Sequence, residues 1–215
     1  MISIDEMKEL EFLALDQGIS VLQLMENAGK QVCRTVKKKI DLSNKHIIIF
    51  AGQGNNGGDG LVAARHFVID FPVIVLFFGS KEKMSEETRK NYAKINKKVT
   101  IIPIEKEADL QTFRFQKNAE LVLIDALLGT GIKGKLREQM VLAIDYFNSL
   151  PGYKVAVDIP SGMNADTGAV EEKVCHADLI ITYHDLKNGM ESVKDKTVIA
   201  DIGMPKKKDF TNQIH

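Results

Sequence analysis

Seven short apolar segments, separated by helix-like stretches, constrain the fold of this chain more than any other feature. The segments lie at residues 47–50, 73–78, 99–102, 121–124, 154–157, 179–182 and 197–200. Because they are apolar throughout instead of alternating with polar residues, they predict strands buried on both faces, as in a parallel sheet covered by helices. Stretches 59–69, 85–97, 108–117 and 137–149 have the apolar spacing expected of the crossover helices.

Two more helices are predicted ahead of the first strand. Apolar residues recur at helical spacing between Ile4 and Leu13, and again between Val21 and Val36 after a break at residues 18–20. The pattern predicts an α/β fold, a three-layer, doubly wound, mostly parallel Rossmann-like sheet with an N-terminal helical extension. We expect residues 1–215 to form a single domain that ends in a loosely held polar tail, residues 206–215.

Composition excludes several classes of function. Lys and Arg number 29, as do Asp and Glu, so the formal net charge is zero and a general affinity for nucleic acid is not expected. No apolar run approaches the roughly 20 residues that a membrane helix needs, and the first residues lack the pattern of a signal peptide. We therefore expect a cytoplasmic protein. Cys33 and Cys175 are too few for a disulfide framework and are predicted to be packed or idle thiols.

The loop after the first strand carries glycines in the GxGxxG pattern, at Gly52, Gly54 and Gly57. Between a strand and a helix, this spacing lets backbone N–H groups and the helix N-terminus face a phosphate. The next strand ends at residues 77–80 without an acidic residue for a ribose hydroxyl, which disfavours an ordinary dehydrogenase. No Lys-Ser or Lys-Thr follows the glycines, which excludes a Walker A loop. A tight strand-to-helix turn without a ligand remains the alternative.

Two further strand ends carry polar side chains. Asp125 ends the fourth strand and is followed by Gly129, Gly131 and Gly134, while Asp158 ends the fifth. Ligands of doubly wound sheets bind at the carboxyl ends of the strands, where burial can perturb the pKa of a carboxylate. Capping of neighbouring loop amides is the alternative role of Asp125.

A possible cation site combines three of these loops. Asn56, Asp125 and Ser161 offer a carboxamide, a carboxylate and a hydroxyl, which are oxygen donors suited to a hard cation. A single carboxylate favours a monovalent ion. Ser161 is not expected to be a nucleophile, because Pro160 precedes it and no histidine lies in a matching context; an ordinary turn serine is the alternative.

These segments resemble, in order, a known family. Residues 24–29, 51–60, 125–134, 158–162 and 200–205, which include Gly-Asn-Asn-Gly-Gly-Asp-Gly and Asp-Ile-Pro-Ser-Gly, are similar to the NAD(P)H-hydrate epimerases, the YjeF N-terminal family. The resemblance implies an isomerase that interconverts the R and S forms of NADHX and NADPHX, nicotinamide cofactors hydrated at C6. Such an activity belongs to cofactor repair.

The resemblance also implies site residues and partners. One K⁺ per subunit would be held by Asn56, Asp125 and Ser161. The implied substrate contacts are Asn55, Asn56, Gly57, Gly58, Asp59, Gly129, Thr130, Gly131, Ile132, Lys133, Gly134, Lys135 and Asp158. A homodimer is implied, and the S epimer would pass to a separate ATP- or ADP-dependent dehydratase, since no fused dehydratase domain follows.

The proton-transfer residue is predicted to be Asp125, with Asp158 held in reserve. Asp125 is favoured because it ends a buried strand between the substrate loops, and Asp59 is expected to begin the helix after the first glycine loop. Residues 183–189 depart from the commoner family pattern, so Lys187 is a weak candidate. A catalytically silent dinucleotide-binding or scaffold module of the same fold is the second interpretation, and a dehydrogenase the third.

Overall fold

Seven parallel strands form one sheet in the part of the chain that the computed structural model describes, residues 1–95, 99–112, 119–131 and 134–205. The strands are β1 Lys45–Ala51, β2 Val73–Phe77, β3 Thr100–Pro103, β4 Glu120–Ala126, β5 Tyr153–Val157, β6 Leu179–Tyr183 and β7 Thr197–Ala200. Their order is β3-β2-β1-β4-β5-β6-β7. The chain therefore winds outward in one direction as far as β3 and then in the other from β4, so the switch point lies between β1 and β4.

Helices cover both faces of the sheet. They are α1 Ile4–Asp16, α2 Val21–Lys39, α3 Asn55–Phe67, α4 Glu86–Ile95, α5 Glu107–Thr112 and α6 Glu138–Ser149, with two 3-10 segments, Lys81–Lys83 and Asn188–Lys196. Ile47 and Ile49 of β1 pack in one cluster with α1 to α4, whereas Ile48 and Phe50 pack in a second cluster with α5 and α6. Successive strand residues point to opposite faces, which accounts for the apolar character of the strands at every position.

Local capping explains where the N-terminal helices begin. Ser3 caps α1, its hydroxyl accepting from the Glu6 N–H while the Glu6 carboxylate accepts from the Ser3 N–H, a complete capping box. Ser20 caps α2 in the same position, accepting from the Gln23 N–H. Residues 37–39 place three lysines in the last turn of α2, where positive charge complements the helix dipole.

The structure confirms the predicted fold class and sharpens it, because every strand pair is parallel. All seven predicted strands and both N-terminal helices are present. The prediction that Asp59 begins a helix is wrong, since α3 begins at Asn55 with Gly54 as its N-cap. Helices α4 and α5 end at Ile95 and Thr112. The remaining residues predicted for them, 96–97 and 113–117, lie outside the described residues, as does the tail 206–215.

No helix in the described part of the chain is long and apolar enough to cross a membrane. Cys33 and Cys175 are both buried and free, as predicted.

Candidate functional site

A cavity of about 680 Å³ opens at the carboxyl ends of β1, β4, β5 and β6. Gly54, Leu128, Asp158 and Tyr183 line it from those four strand ends. Helices α1 and α2 cover it, contributing Met7, Lys8, Glu11, Leu24 and Met25 to the wall. The N-terminal helical extension therefore helps to form the site, and the cavity spans the switch point at which doubly wound sheets bind ligands.

Close backbone contacts explain the glycine loop between β1 and α3. A Cβ added to Gly52 would lie 2.0 Å from the Leu127 carbonyl oxygen, and one added to Gly57 would lie 1.9 Å from the Gly52 carbonyl oxygen. The first contact brings the loop after β1 against the loop after β4. The second folds the loop tightly onto the first turn of α3, whose N-cap Gly54 provides no side-chain cap. The first N–H groups of α3 therefore remain available to an anion at the cavity.

Asn56, Ser161 and Asp125 meet around the backbone of Leu128. The Asn56 amide donates to the Leu128 carbonyl at 2.8 Å, and the Leu128 N–H donates to the Ser161 hydroxyl at 2.9 Å. The Ser161 hydroxyl in turn donates to Asp125 Oδ1 at 2.6 Å. Asn56 Oδ1 is buried without a hydrogen-bond partner among the described residues. Three predicted residues thus lie together, with one oxygen free to accept a ligand.

Asp125 is enclosed and does not line the cavity. Its carboxylate accepts from the Ser161 N–H at 2.8 Å and the Leu127 N–H at 3.1 Å, in addition to the Ser161 hydroxyl. Burial raises the pKa of Asp125, and the hydrogen bonds from Ser161 and Leu127 oppose that shift. The side chain shares its strand parity with Leu121 and Leu123, which face α6.

Asp158 faces the cavity and is paired with a buried lysine. Lys187 is fully buried, and its Nζ donates to Asp158 Oδ1 at 2.5 Å, to Thr182 Oγ1 at 2.8 Å and to the Tyr183 carbonyl at 3.0 Å. The ammonium therefore uses all three donors on acceptors of the protein. Asp158 has φ of 65°, a conformation that is costly for a residue with a Cβ. The fold holds this carboxylate in place at the cost of backbone strain.

A second carboxyl group, that of Asp59, faces the same cavity from α3. Burial raises the pKa of Asp59 well above its ordinary value, and the negative charges of Asp158 and Glu11 act in the same direction. The Tyr183 hydroxyl is buried nearby without a hydrogen-bond partner among the described residues. Burial raises its pKa well above the ordinary value, as do the charges of Asp59 and Asp158.

Most of the substrate residues implied by the resemblance line the cavity. They are Asn55, Asn56, Asp59, Gly129, Thr130, Gly131, Lys135 and Asp158. Gly57 and Gly58 lie beneath the wall, where close packing of Gly52, Met25 and Thr88 leaves no room for a Cβ. Gly134 is not part of the wall but adopts the left-handed conformation, with φ of 73°. Ile132 and Lys133 lie outside the described residues.

Sequence reasoning missed three features of the site. The sequence does not show that Lys187 is the partner of Asp158, which the structure reveals. Nor does it indicate that Glu11 and Tyr183 line the cavity. The position of Lys187, four residues beyond a strand end, indicates that its side chain can fold back toward that end. Its partner cannot be read from the sequence, because it lies 29 residues earlier in the chain.

Comparison with known proteins agrees with this geometry. The family model described as YjeF-related protein N-terminus matches residues 21–189. The NAD(P)H-hydrate epimerase of Nitrosopumilus maritimus is 38% identical over 210 residues, a match that covers 95% of each chain. The bifunctional NAD(P)H-hydrate repair enzyme Nnr of Methanothermobacter thermautotrophicus is 37% identical over 214 residues, covering 93% of this chain and 40% of that protein.

A solved structure supports the fold. The crystal structure of yeast ynu0 superposes with a TM-score of 0.79 and 24% sequence identity, covering 93% of this chain and 86% of the yeast chain. From the matching family model and the full-length similarity to the Nitrosopumilus protein, the chain belongs to the NAD(P)H-hydrate epimerase family, the YjeF N-terminal family.

Proposed function

We propose that this chain interconverts the R and S forms of NADHX and NADPHX within the cavity at the switch point. The observation that carries the proposal is the Asp158–Lys187 ion pair. It fixes the position of a carboxylate in the wall of a cavity that is bordered by two glycine loops. The names of the Nitrosopumilus and Methanothermobacter relatives supply the substrate. Epimerisation at C6 needs a proton-transfer group at one end of a dinucleotide site, and the cavity offers both parts.

The dinucleotide would bind across the two loops. Its pyrophosphate fits the N-terminus of α3, where Gly54 leaves the first N–H groups without a side-chain cap. Gly129, Gly131 and Lys135 line the cavity from the loop after β4, so the second loop offers close backbone approach and a positive charge. The nicotinamide end would then reach the strand ends of β5 and β6, where Asp158 lies.

Asp158 is the best placed group to exchange a proton with the substrate. Inversion at C6 requires that its bond to oxygen, or its bond to N1, break and form again, and either route needs proton transfer near C6. Lys187 holds the Asp158 carboxyl group in place through a buried ion pair. Asp125, the residue predicted from the sequence, lies behind the cavity wall with both carboxylate oxygens occupied by hydrogen bonds, which favours a supporting role.

The residues around Leu128 fit a K⁺ ion. Asn56 Oδ1 is buried and unpaired, and the neighbouring groups from Ser161 and Asp125 are also oxygens. No group of three His, Cys, Asp or Glu side chains is placed to hold a metal within the described ranges, so the donor set is weakly charged. Bound K⁺ would supply positive charge that orients a substrate oxygen, while Asn56, Asp125 and Ser161 would hold it.

A dehydratase is the functional partner that this activity requires. The bifunctional Nnr relatives of Methanothermobacter and Pyrobaculum carry repair functions in one longer chain, of which this chain covers 40% and 38%. We propose that the S epimer formed here passes to an ATP- or ADP-dependent dehydratase. A homodimer, implied by the family resemblance, and a cytoplasmic location, expected from the sequence pattern, complete the proposal.

Incubation of the protein with purified (R)-NADHX, followed by chromatographic separation of the epimers, tests the function. We expect the S epimer to form well above the spontaneous rate measured without protein, and a similar result with (R)-NADPHX. If the protein binds NADP⁺ in the cavity but leaves the spontaneous rate unchanged, the silent binding module is the correct interpretation instead.

A further inference from the structure

The cavity contains two carboxyl groups in opposite electrostatic situations. Asp158 is paired with the ammonium of Lys187, whereas Asp59 has no part in any ion pair formed by the described residues. Both line the same cavity, one from the end of β5 and the other from the second turn of α3. Two carboxyl groups in such different surroundings within one cavity can serve as the base and the acid of a reaction.

We propose that Asp59 is the second proton-transfer group of this site, a general acid that works with the base Asp158, and that Tyr183 is its positioning residue. The inference rests on the proposed epimerase function and assigns the reacting groups within it. The resemblance to the family implied only that Asp59 contacts the substrate, and Tyr183 was not singled out at all.

Charges around Asp59 favour its neutral form. Glu11 from α1 and Asp158 from the end of β5 both present negative charge to it, while the ammonium of Lys187, bonded to Asp158, partly opposes their effect. Lys8 of α1 faces Glu11 and partly offsets that charge. Burial disfavours the charged form of Asp59 further. Burial and these charges therefore shift the pKa of Asp59 upward, which is the direction that suits a proton donor.

Tyr183 has a feature that a structural role does not explain. It is 4% exposed, and its hydroxyl is buried without a hydrogen-bond partner among the described residues, although a buried unsatisfied hydroxyl is destabilising. Asp59 lies within reach of this hydroxyl, whose hydrogen bonding lowers the pKa of Asp59 and opposes the effect of burial. When Asp59 gives up its proton, the Tyr183 hydroxyl can donate to the resulting carboxylate. The unpaired hydroxyl thus acquires a partner during the reaction.

The chemistry balances with these two groups alone. Asp158 takes the proton of the C6 hydroxyl, the oxygen electron pair forms a C6 carbonyl, and the C6–N1 bonding pair moves to N1, which takes the proton of Asp59. The ring is then open as an aldehyde. Rotation about C5–C6 exposes the other face, and attack by N1 reverses each transfer, returning one proton to Asp59 and one to the new hydroxyl. No oxidant, reductant or further reactant is needed.

The pH dependence of kcat/KM tests the inference. The wild-type profile should have an acidic and a basic limb, and the basic limb should follow the loss of the proton from Asp59. Asp59→Asn should lower kcat by about 10²-fold and remove the basic limb. Tyr183→Phe removes a donor that stabilises ionised Asp59, so the basic limb should move to higher pH. The exposed Tyr153, at the start of β5 and the other end of the sheet, gives the matched control Tyr153→Phe, which should leave both limbs in place.

Two further measurements distinguish a catalytic role of Asp59 and Tyr183 from a purely structural one. Tyr183→Phe should unfold at the same temperature as wild type or a higher one, because it removes a buried unpaired hydroxyl. Carboxyl ¹³C titration of the free protein should show a raised pKa for Asp59, and a still higher one in Tyr183→Phe. Neither readout depends on turnover.

Three results would overturn the inference. Wild-type activity combined with an Asp59→Asn variant of unchanged kcat and pH profile would overturn the inference and leave the epimerase function standing. The same holds if Tyr183→Phe lowers activity equally at every pH and also lowers the unfolding temperature, which is the behaviour of a structural residue. A wild-type protein that binds substrate without epimerising it would overturn the proposed function and this inference with it.

Discussion

Replacement of Lys187 by methionine tests whether the buried ion pair holds the site together. The side chain is fully buried and makes three hydrogen bonds, to Asp158 Oδ1, Thr182 Oγ1 and the Tyr183 carbonyl. Lys187→Met keeps the length of the aliphatic stem but leaves a carboxylate that is only 14% exposed without its counter-charge. Removing one partner of a buried pair costs about 3–5 kcal/mol.

Urea unfolding followed by circular dichroism at pH 7 measures this cost. Because domains of this kind have a total stability of about 5–15 kcal/mol, the variant should remain folded in water but unfold at a much lower urea concentration. The double variant Asp158→Asn/Lys187→Met should recover at least about 1 kcal/mol, since it no longer buries an unpaired charge. Lys194→Met, in the 3-10 segment that follows Lys187 but with a half-exposed side chain, is the control and should change the stability by less than about 0.5 kcal/mol.

A Lys187→Met variant as stable as wild type would refute the reasoning, because the ammonium would then contribute nothing that methionine cannot replace. A double variant less stable than either single variant would also contradict it, since the unpaired charge would not be the source of the loss.

Three further results are expected. Gly57→Ala should destabilise the protein by about 1–3 kcal/mol in urea unfolding, because its Cβ would lie 1.9 Å from a carbonyl oxygen. The control Gly131→Ala, with open space around the added Cβ, should have little effect. Equal stability of the two variants would contradict the packing argument. K⁺ should raise both the unfolding temperature and the activity of wild type relative to tetramethylammonium, and Asn56→Ala should abolish this difference. If neither property of wild type depends on the ion, the proposed cation site is wrong. Burial acts to raise the pKa of Glu26, but hydrogen bonds from His66 and Arg65 lower it, so Glu26→Gln should cost roughly 0.5–1 kcal/mol of stability at neutral pH. The difference from wild type in thermal unfolding should shrink as the pH falls through the folded pKa of Glu26. A difference that stays constant with pH would be evidence against the pairing.

The sheet could be predicted from the sequence because burial on both faces leaves a local signature. Strands β1, β2, β4 and β6 each have a run of apolar residues that no amphipathic helix would show, and the structure buries those runs between two helical layers. The site loops were predictable for a related reason, since ligands of such sheets bind where the strands end.

The start of α3 was not predictable in the same way. Residues 54–58 read Gly-Asn-Asn-Gly-Gly, a composition with low helix propensity that does not predict a helix before Asp59. Tertiary packing overrides that preference, because only glycine fits at residue 57 against the Gly52 carbonyl and at residue 58 against Met25. The error matters, since it moves Asp59 from the helix N-terminus to the second turn, where it faces the cavity.

The distinction between Asp125 and Asp158 also lay beyond local pattern. Both aspartates end buried strands, and nothing in either segment shows which carboxyl group the cavity exposes. The structure distinguishes them by contacts with residues distant in the chain. Ser161, 36 residues away, donates a hydrogen bond to Asp125, and Lys187, 29 residues away, donates one to Asp158. Strand parity was the one clue available, because Asp125 shares the parity of residues that face α6.

The rate of (R)-NADHX epimerisation by Asp158→Asn, measured by chromatography beside wild type and Asp125→Asn, tests the central claim most directly. The account predicts that Asp158→Asn loses about 10²-fold or more in rate while still binding NADP⁺, because it keeps the shape of the side chain and loses the base. Asp125→Asn should be less stable, since its amide cannot accept all the hydrogen bonds that reach the carboxylate, but should retain more activity than Asp158→Asn once folded. If Asp158→Asn turns over at a nearly normal rate while folded Asp125→Asn is inactive, proton transfer belongs to Asp125 and the account is contradicted.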